Sequence, residues 1–132
     1  MQLKKAAAVA AVALGVLAGA GSAYAGAFNH STTGGHIYGS YAFQPRSVSQ
    51  GAFQWWGTLD DTSNDGNAMK VQVRVEGYGY NTFYNSKDTD KYWNMYVYDY
   101  QALQTNFAAA KICRDRGSLY PDNCSSEVSY RR

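Results

Sequence analysis

The sequence predicts an all-β fold: a small antiparallel β-sandwich or barrel-like domain closed by one C-terminal disulfide. Three observations carry that expectation. Residues 69–76 alternate strictly, with Met69, Val71, Val73 and Val75 against Lys70, Gln72, Arg74 and Glu76, the period-2 signature of a half-buried strand. Other short alternating runs are divided by Gly, Asn and Asp turns, the spacing of sandwiches and small barrels. Cys113 and Cys124 are the only cysteines, and an even pair in an exported chain pairs as a disulfide.

Export is read from the N-terminus. Lys4 and Lys5 precede an apolar run from Ala6 to Ala20, and Ala23-Tyr24-Ala25 places small residues where a signal peptidase reads. Residues 1–25 are therefore predicted to be a removable signal peptide of bacterial type, in preference to a retained anchor, because the run is short for a membrane-spanning helix. The mature part, residues 26–132, is one domain of 107 residues, large enough to bury about two-thirds of its unfolded surface. The full chain has 12 Lys and Arg against 10 Asp and Glu. Losing Lys4 and Lys5 makes the mature part neutral. That removes any general attraction for phosphate backbones, so no nucleic-acid partner is expected, and no membrane contact once the signal is gone.

Residues 26–35, GAFNHSTTGG, are small, polar and without pattern. They are predicted to be a flexible N-terminal lead, ahead of a β domain spanning 36–132. In 36–43, Ile37, Tyr41 and Phe43 face one way and His36, Ser40 and Ala42 the other, until Pro45 stops the run. In 52–59, Phe53, Trp55 and Leu59 oppose Trp56 and Thr58. Residues 60–67, DDTSNDGN, form a turn-rich loop with an Asp-Gly step. After the 69–76 strand, Tyr78, Tyr80 and Tyr84 share a face, and 86–90 make a charged turn. In 92–100, Trp93, Met95 and Val97 oppose a ladder of Tyr96, Tyr98 and Tyr100. Residues 102–110 are Ala-rich, with Leu103 and Phe107 four apart, which suits a short helix as well as a strand. Residues 110–115 and 125–130 read as the two strands joined by the disulfide, whose short loop contributes about 2–3 kcal/mol.

Chemistry-bearing motifs are sparse. Asp61, Ser63, Asp65 and Gly66 match the start of an EF-hand loop, but its twelfth position is Gln72 instead of a bidentate Glu. A plain turn is the better reading. His30 and His36 lack a third ligand nearby, and two thiols alone cannot complete a tetrahedral zinc site, so no metal or cofactor is expected. The cysteine spacing is not that of a redox pair. No nucleophile elbow, P-loop or dinucleotide fingerprint is present. Asp60 with Glu76, or Asp88 with Asp99, are carboxylate pairs of a kind every small protein offers. The chain is thus expected not to be an enzyme.

Its unusual property is aromatic content, with 12 Tyr, 3 Trp and 5 Phe, more than so small a domain buries. Trp55, Trp56, Tyr78, Tyr80, Trp93, Tyr96, Tyr98 and Tyr100 form the candidate binding surface, since Tyr and Trp supply rigid apolar area with a polar handle. A covering second sheet would instead make the tyrosines core.

The segments Val71–Gly79 and Lys111–Asp115, with Pro121–Ser125, resemble small secreted β proteins of actinobacteria. Among these the chain is similar to the small adaptor subunit of antibacterial umbrella toxin particles, over about its C-terminal half. The resemblance implies a non-enzymatic connector that joins a trypsin-like lectin subunit to a large polymorphic toxin, partly through an extended N-terminal strap. Residues 26–35 occupy the place of that strap, with Phe28, Asn29 and His30 as its candidate contacts. The function expected is a secreted, extracellular, non-catalytic binding or adaptor protein with a co-secreted protein partner. The alternatives are an aromatic carbohydrate-binding module for a glycan, and a protease inhibitor presenting the 113–124 loop. On this reading, removing residues 26–35 leaves folding intact and weakens the partner contact.

Overall fold

The computed structural model describes residues 24–63, 65–102, 104–117 and 120–132. The proposed signal peptide lies outside the described residues except for Tyr24 and Ala25, as does Leu103. The fold is all-β, two antiparallel sheets packed face to face, with no α-helix among the described residues. Nine strands follow one another: β1 Ala25–Thr32, β2 Gly35–Phe43, β3 Phe53–Asp61, β4 Ala68–Val75, β5 Asn81–Tyr84, β6 Lys91–Val97, β7 Phe107–Asp115, β8 Asn123–Cys124 and β9 Val128–Arg131. Sheet 1 has the order β1-β2-β3-β6. Sheet 2 runs β5-β4-β7-β8, with β9 pairing β7 as well. The Ala-rich segment that suited a helix enters β7 at Phe107.

Alternation decides what each strand buries. Sheet 1 sends Phe28, Ile37, Phe43, Phe53, Trp55 and Leu59 inward, and sheet 2 meets them with Met69, Val71, Val73, Val75, Ile112 and Tyr130. An aromatic chain crosses the interior: Tyr130 to Phe28 at 5.6 Å, Phe28 to Trp55 at 5.2 Å, Trp55 to Phe83 at 5.3 Å and Phe83 to Trp93 at 5.5 Å between ring centroids. Gly39 and Gly57 face each other across β2 and β3, where their backbones approach closely and the Ile37 side chain packs against Gly57. A Cβ on Gly39 would lie 1.9 Å from the Trp56 carbonyl oxygen, and Gly57 has φ +155°, so both positions require glycine.

The N-terminal lead is the clearest correction. Residues 25–32 are a full strand, paired with β2 at eight positions from Ala25↔Ala42 to Thr32↔Gly35. Phe28 is wholly buried and His30 is 4 % exposed, so neither is free to act as a strap contact; only Asn29 of the three points to solvent. His30 Nε2 and the Tyr130 hydroxyl share a 2.8 Å hydrogen bond, which ties the edge strand of sheet 1 to the last strand of sheet 2. Composition missed this strand because its partner supplies the order: backbone pairing and two inward side chains suffice.

The Cys113–Cys124 disulfide is present, with the two residues directly opposite each other on β7 and β8. The strand partner differs from the expected 125–130 run. Between the pairs Ala110↔Val128 and Cys113↔Cys124, β7 contributes two residues and the C-terminal segment three, Ser125, Ser126 and Glu127. That extra residue is a β-bulge. Ile112 N donates to Ser125 Oγ at 3.0 Å, and Ser125 N to the Ile112 carbonyl at 2.9 Å. The bulge aims Glu127 at Arg74, whose Nε and Nη2 both donate to it at 2.9 Å.

Candidate binding face

The outward positions of sheet 1 fall into rows fixed by register. Asn29, Tyr38, Thr58 and Tyr92 make one row; Ala27, Ser40, Trp56 and Asn94 the next; Ala25, Ala42, Gln54 and Tyr96 the third. Ser31, His36 and Asp60 close one end. Tyr38, Trp56 and Tyr96 each stand one strand over and one row down from the last, so they lie on a straight diagonal. Diagonal neighbours on a sheet face are about 7–8 Å apart. Tyr38 is 64 % exposed, Tyr92 59 % and Tyr96 40 %, and Trp56 is half-buried.

Tyr38 and the amide side chains of this face are held before any ligand arrives. The His36 ring stacks on Tyr38 with centroids 4.3 Å apart and planes 17° from parallel, and His36 Nε2 lies 2.9 Å from Asp60 Oδ2. Gln44 Nε2 donates to Gln54 Oε1 at 2.6 Å, and Gln54 Nε2 donates to Asn94 Oδ1 at 2.9 Å. The three aromatic rows contain no charged side chain.

The outer face of sheet 2 contrasts with this. Lys70 pairs with Asp122 at 2.6 Å and Arg74 with Glu127 at 2.9 Å. Lys111 Nζ sits 4.9 Å from the Tyr80 ring, whose hydroxyl donates to Glu127. Hydrogen bonds from Arg74 and then Tyr80 pull the Glu127 carboxyl down to about 2, against a smaller opposing effect of burial. Its polar groups are spent on one another.

The eight aromatic candidates therefore separate. Trp56 and Tyr96 stand on the open face of sheet 1. Trp55 is wholly buried core, because its parity is that of Phe53 and Leu59. Trp93 is half-buried against the core, donating from Nε1 to Asn85 Oδ1 at 3.1 Å. Tyr80 belongs to the ion-paired face of sheet 2. Tyr78, Tyr98 and Tyr100 gather at one end of the sandwich, where the Tyr78 hydroxyl donates to Asp99 Oδ1 at 3.0 Å and the rings of Tyr98 and Tyr100 are 4.8 Å apart. The tyrosine ladder beyond β6 is thus a loop cluster, with Tyr100 79 % exposed. Tyr38 and Tyr92 were missed, although their parity with Ser40 and Tyr96 already put them on the outward face.

The carboxylate pairs considered in the sequence are occupied structurally. Glu76 Oε1 accepts from Asn106 N at 2.7 Å, and Asp99 Oδ1 from Gln101 N at 2.8 Å. Asp61, Asp65 and Asp88 bring carboxylate oxygens within 4.8 Å of one another, joining the loops after β3 and β5. Their lone pairs receive backbone amides: Ser63 N and Asp88 N reach Asp61, Gly66 N reaches Asp88, and Asn67 N reaches Asp65. Burial raises the Asp61 pKa, opposed by those amides and assisted by Asp88 and Asp65. Hydrogen bonding by Asn67 lowers that of Asp65, with help from Arg114. The cluster acts as a two-loop turn clasp. Comparison of the chain with protein-family models, with curated proteins and with solved structures finds no match, so the functional reading rests on this geometry.

Proposed function

We propose that the chain is an exported, non-catalytic binding protein whose contact surface is the outer face of sheet 1. The observation that supports this reading is the exposed diagonal Tyr38–Trp56–Tyr96 on a face without charged side chains in its aromatic rows. Contact centres in known interfaces are depleted of charge and enriched in Tyr and Trp. The disulfide is compatible with an oxidising compartment outside the cytoplasm. The N-terminal strap implied by the umbrella-particle resemblance is not the contact on this reading, because Phe28 and His30 are buried in the sandwich.

A variant carrying Tyr38→Thr, Trp56→Thr and Tyr96→Thr tests the proposal. Threonine keeps strand preference, substitutions at exposed sites such as Tyr38 and Tyr96 usually shift stability by about 0.5 kcal/mol or less each, and the larger loss at half-buried Trp56 is read from the thermal transition itself. The variant is expected to retain its cooperative thermal transition and the disulfide. When immobilised, it should fail to retain the exported material that the native protein holds from culture medium. Equal retention by both proteins contradicts the proposal.

A further inference from the structure

We infer that the Tyr38–Trp56–Tyr96 diagonal, with the Gln54–Asn94 amides beside it, is a site for an extended, uncharged polysaccharide chain. The inference rests on the reading of this face as the contact surface and names its occupant. The register carries it first. Three rings in line across three adjacent strands form a track, not a pocket, and a track suits a linear polymer. The apolar C–H face of a pyranose ring matches the face of an aromatic ring, and the ring-edge hydroxyls need polar partners at the same level. Asn94 can supply them: its Oδ1 accepts from Gln54, which leaves the amide N–H groups of this outward-facing residue as the donors available to a ligand. Gln44 in turn presents its carbonyl oxygen as an acceptor.

Charge and size narrow the occupant further. Among the described residues the three rows of the track carry no cation for a uronate, sulfate or phosphate; His36 and Asp60 at its end are self-paired at 2.9 Å, and Lys91 beside Tyr92 is turned to the Trp93 ring, 4.2 Å from its centroid. An acidic polymer would lose its hydration there without a counter-charge, so a neutral one fits. The rows from Ala25 to Asp60 cover about 400 Å² by strand spacing, about half of what each partner buries in a standard protein–protein interface. A flat patch of that size is small for a stable protein complex and sufficient for a short run of sugar rings. Pre-ordering adds to the fit: Tyr38 is propped by His36 and Gln54 is clamped on both sides, so little side-chain freedom is lost on binding.

The test is depletion of the native protein on insoluble cellulose and chitin, with retardation in gels containing hydroxyethylcellulose. Binding to at least one of these is expected. Trp56→Ala and Tyr38→Ala should each weaken it at least about tenfold. Tyr120→Ala, at an exposed site elsewhere, should leave it unchanged, and thermal unfolding of each variant checks that the fold persists. Retention that survives both Trp56→Ala and Tyr38→Ala overturns the inference. No retention on any polysaccharide, together with Trp56-dependent capture of a co-exported protein, overturns it while leaving the contact face intact. No retention and no Trp56-dependent capture overturns both.

Discussion

Removing residues 26–35 is expected to abolish folding. The deletion takes away most of β1 and the turn into β2, and with them most of an eight-position strand pairing. It also removes Phe28, whose ring packs against Trp55, Phe53 and Tyr130. Loss of a buried Phe side chain alone costs about 3–5 kcal/mol, against a total stability of about 5–15 kcal/mol for a domain. Exposing the flank of β2 and the inner faces of Ile37 and Trp55 adds to that. The truncated protein should show no cooperative thermal transition and no near-ultraviolet dichroism from its packed aromatics. The milder Phe28→Ala should lower the melting temperature by roughly 15 °C. A truncated protein that melts cooperatively near the native temperature would contradict the placement of β1.

Acid is expected to weaken the fold through one histidine. Burial lowers the His30 pKa from 6.5 to about 4, because the fold holds the ring away from water beside Phe28 and Tyr130 and so disfavours its charged form. The same burial pushes the Tyr130 phenol up, which keeps the pair neutral. Below pH 6.5 the unfolded chain binds a proton at this residue that the folded chain refuses. The stability contributed by neutral His30 is complete above that pH and is lost progressively as pH falls towards 4, by about 3 kcal/mol in all. Glu127 acts in a lower window. Its contribution is present above pH 4.5 and is lost as pH falls towards 2. Denaturant unfolding at pH 7, 6, 5 and 4 should therefore show a fall that the His30→Gln variant lacks. Identical slopes for the two proteins would remove His30 as the cause.

The parts legible in the sequence were those where alternation is both strict and local. Met69 to Val75 read correctly in full, and so did the inward Phe53, Trp55 and Leu59 against outward Trp56, and the inward Trp93, Met95 and Val97 against Tyr96. What failed depended on distant partners or on a break in phase. β1 has two buried side chains, one of them a histidine, and its order comes from β2. Tyr78 and Tyr80 continue the β4 alternation in the sequence, yet Glu76 adopts φ 50° and Tyr78 N closes a turn onto the Val75 carbonyl at 3.0 Å, so the pattern runs on where the strand has stopped. The bulge at 125–127 shifts the C-terminal register by one residue, which no periodicity reveals. Trp56 and Tyr96 were both recognised as outward aromatics. Their adjacency was not legible, because β6 reaches β3 only after the chain has passed through sheet 2.

Side-chain oxidation footprinting tests the central claim most directly. The native protein would be exposed to hydroxyl radicals alone and with an excess of soluble cello- or chito-oligosaccharide, matched to the polysaccharide that retains it, and oxidation read residue by residue by mass spectrometry. The account predicts protection at Tyr38, Trp56, Tyr92 and Tyr96, with Tyr100 and Tyr120 unchanged. Protection centred on Tyr78, Tyr80 or Tyr100, or no protection on the outer face of sheet 1, would contradict it.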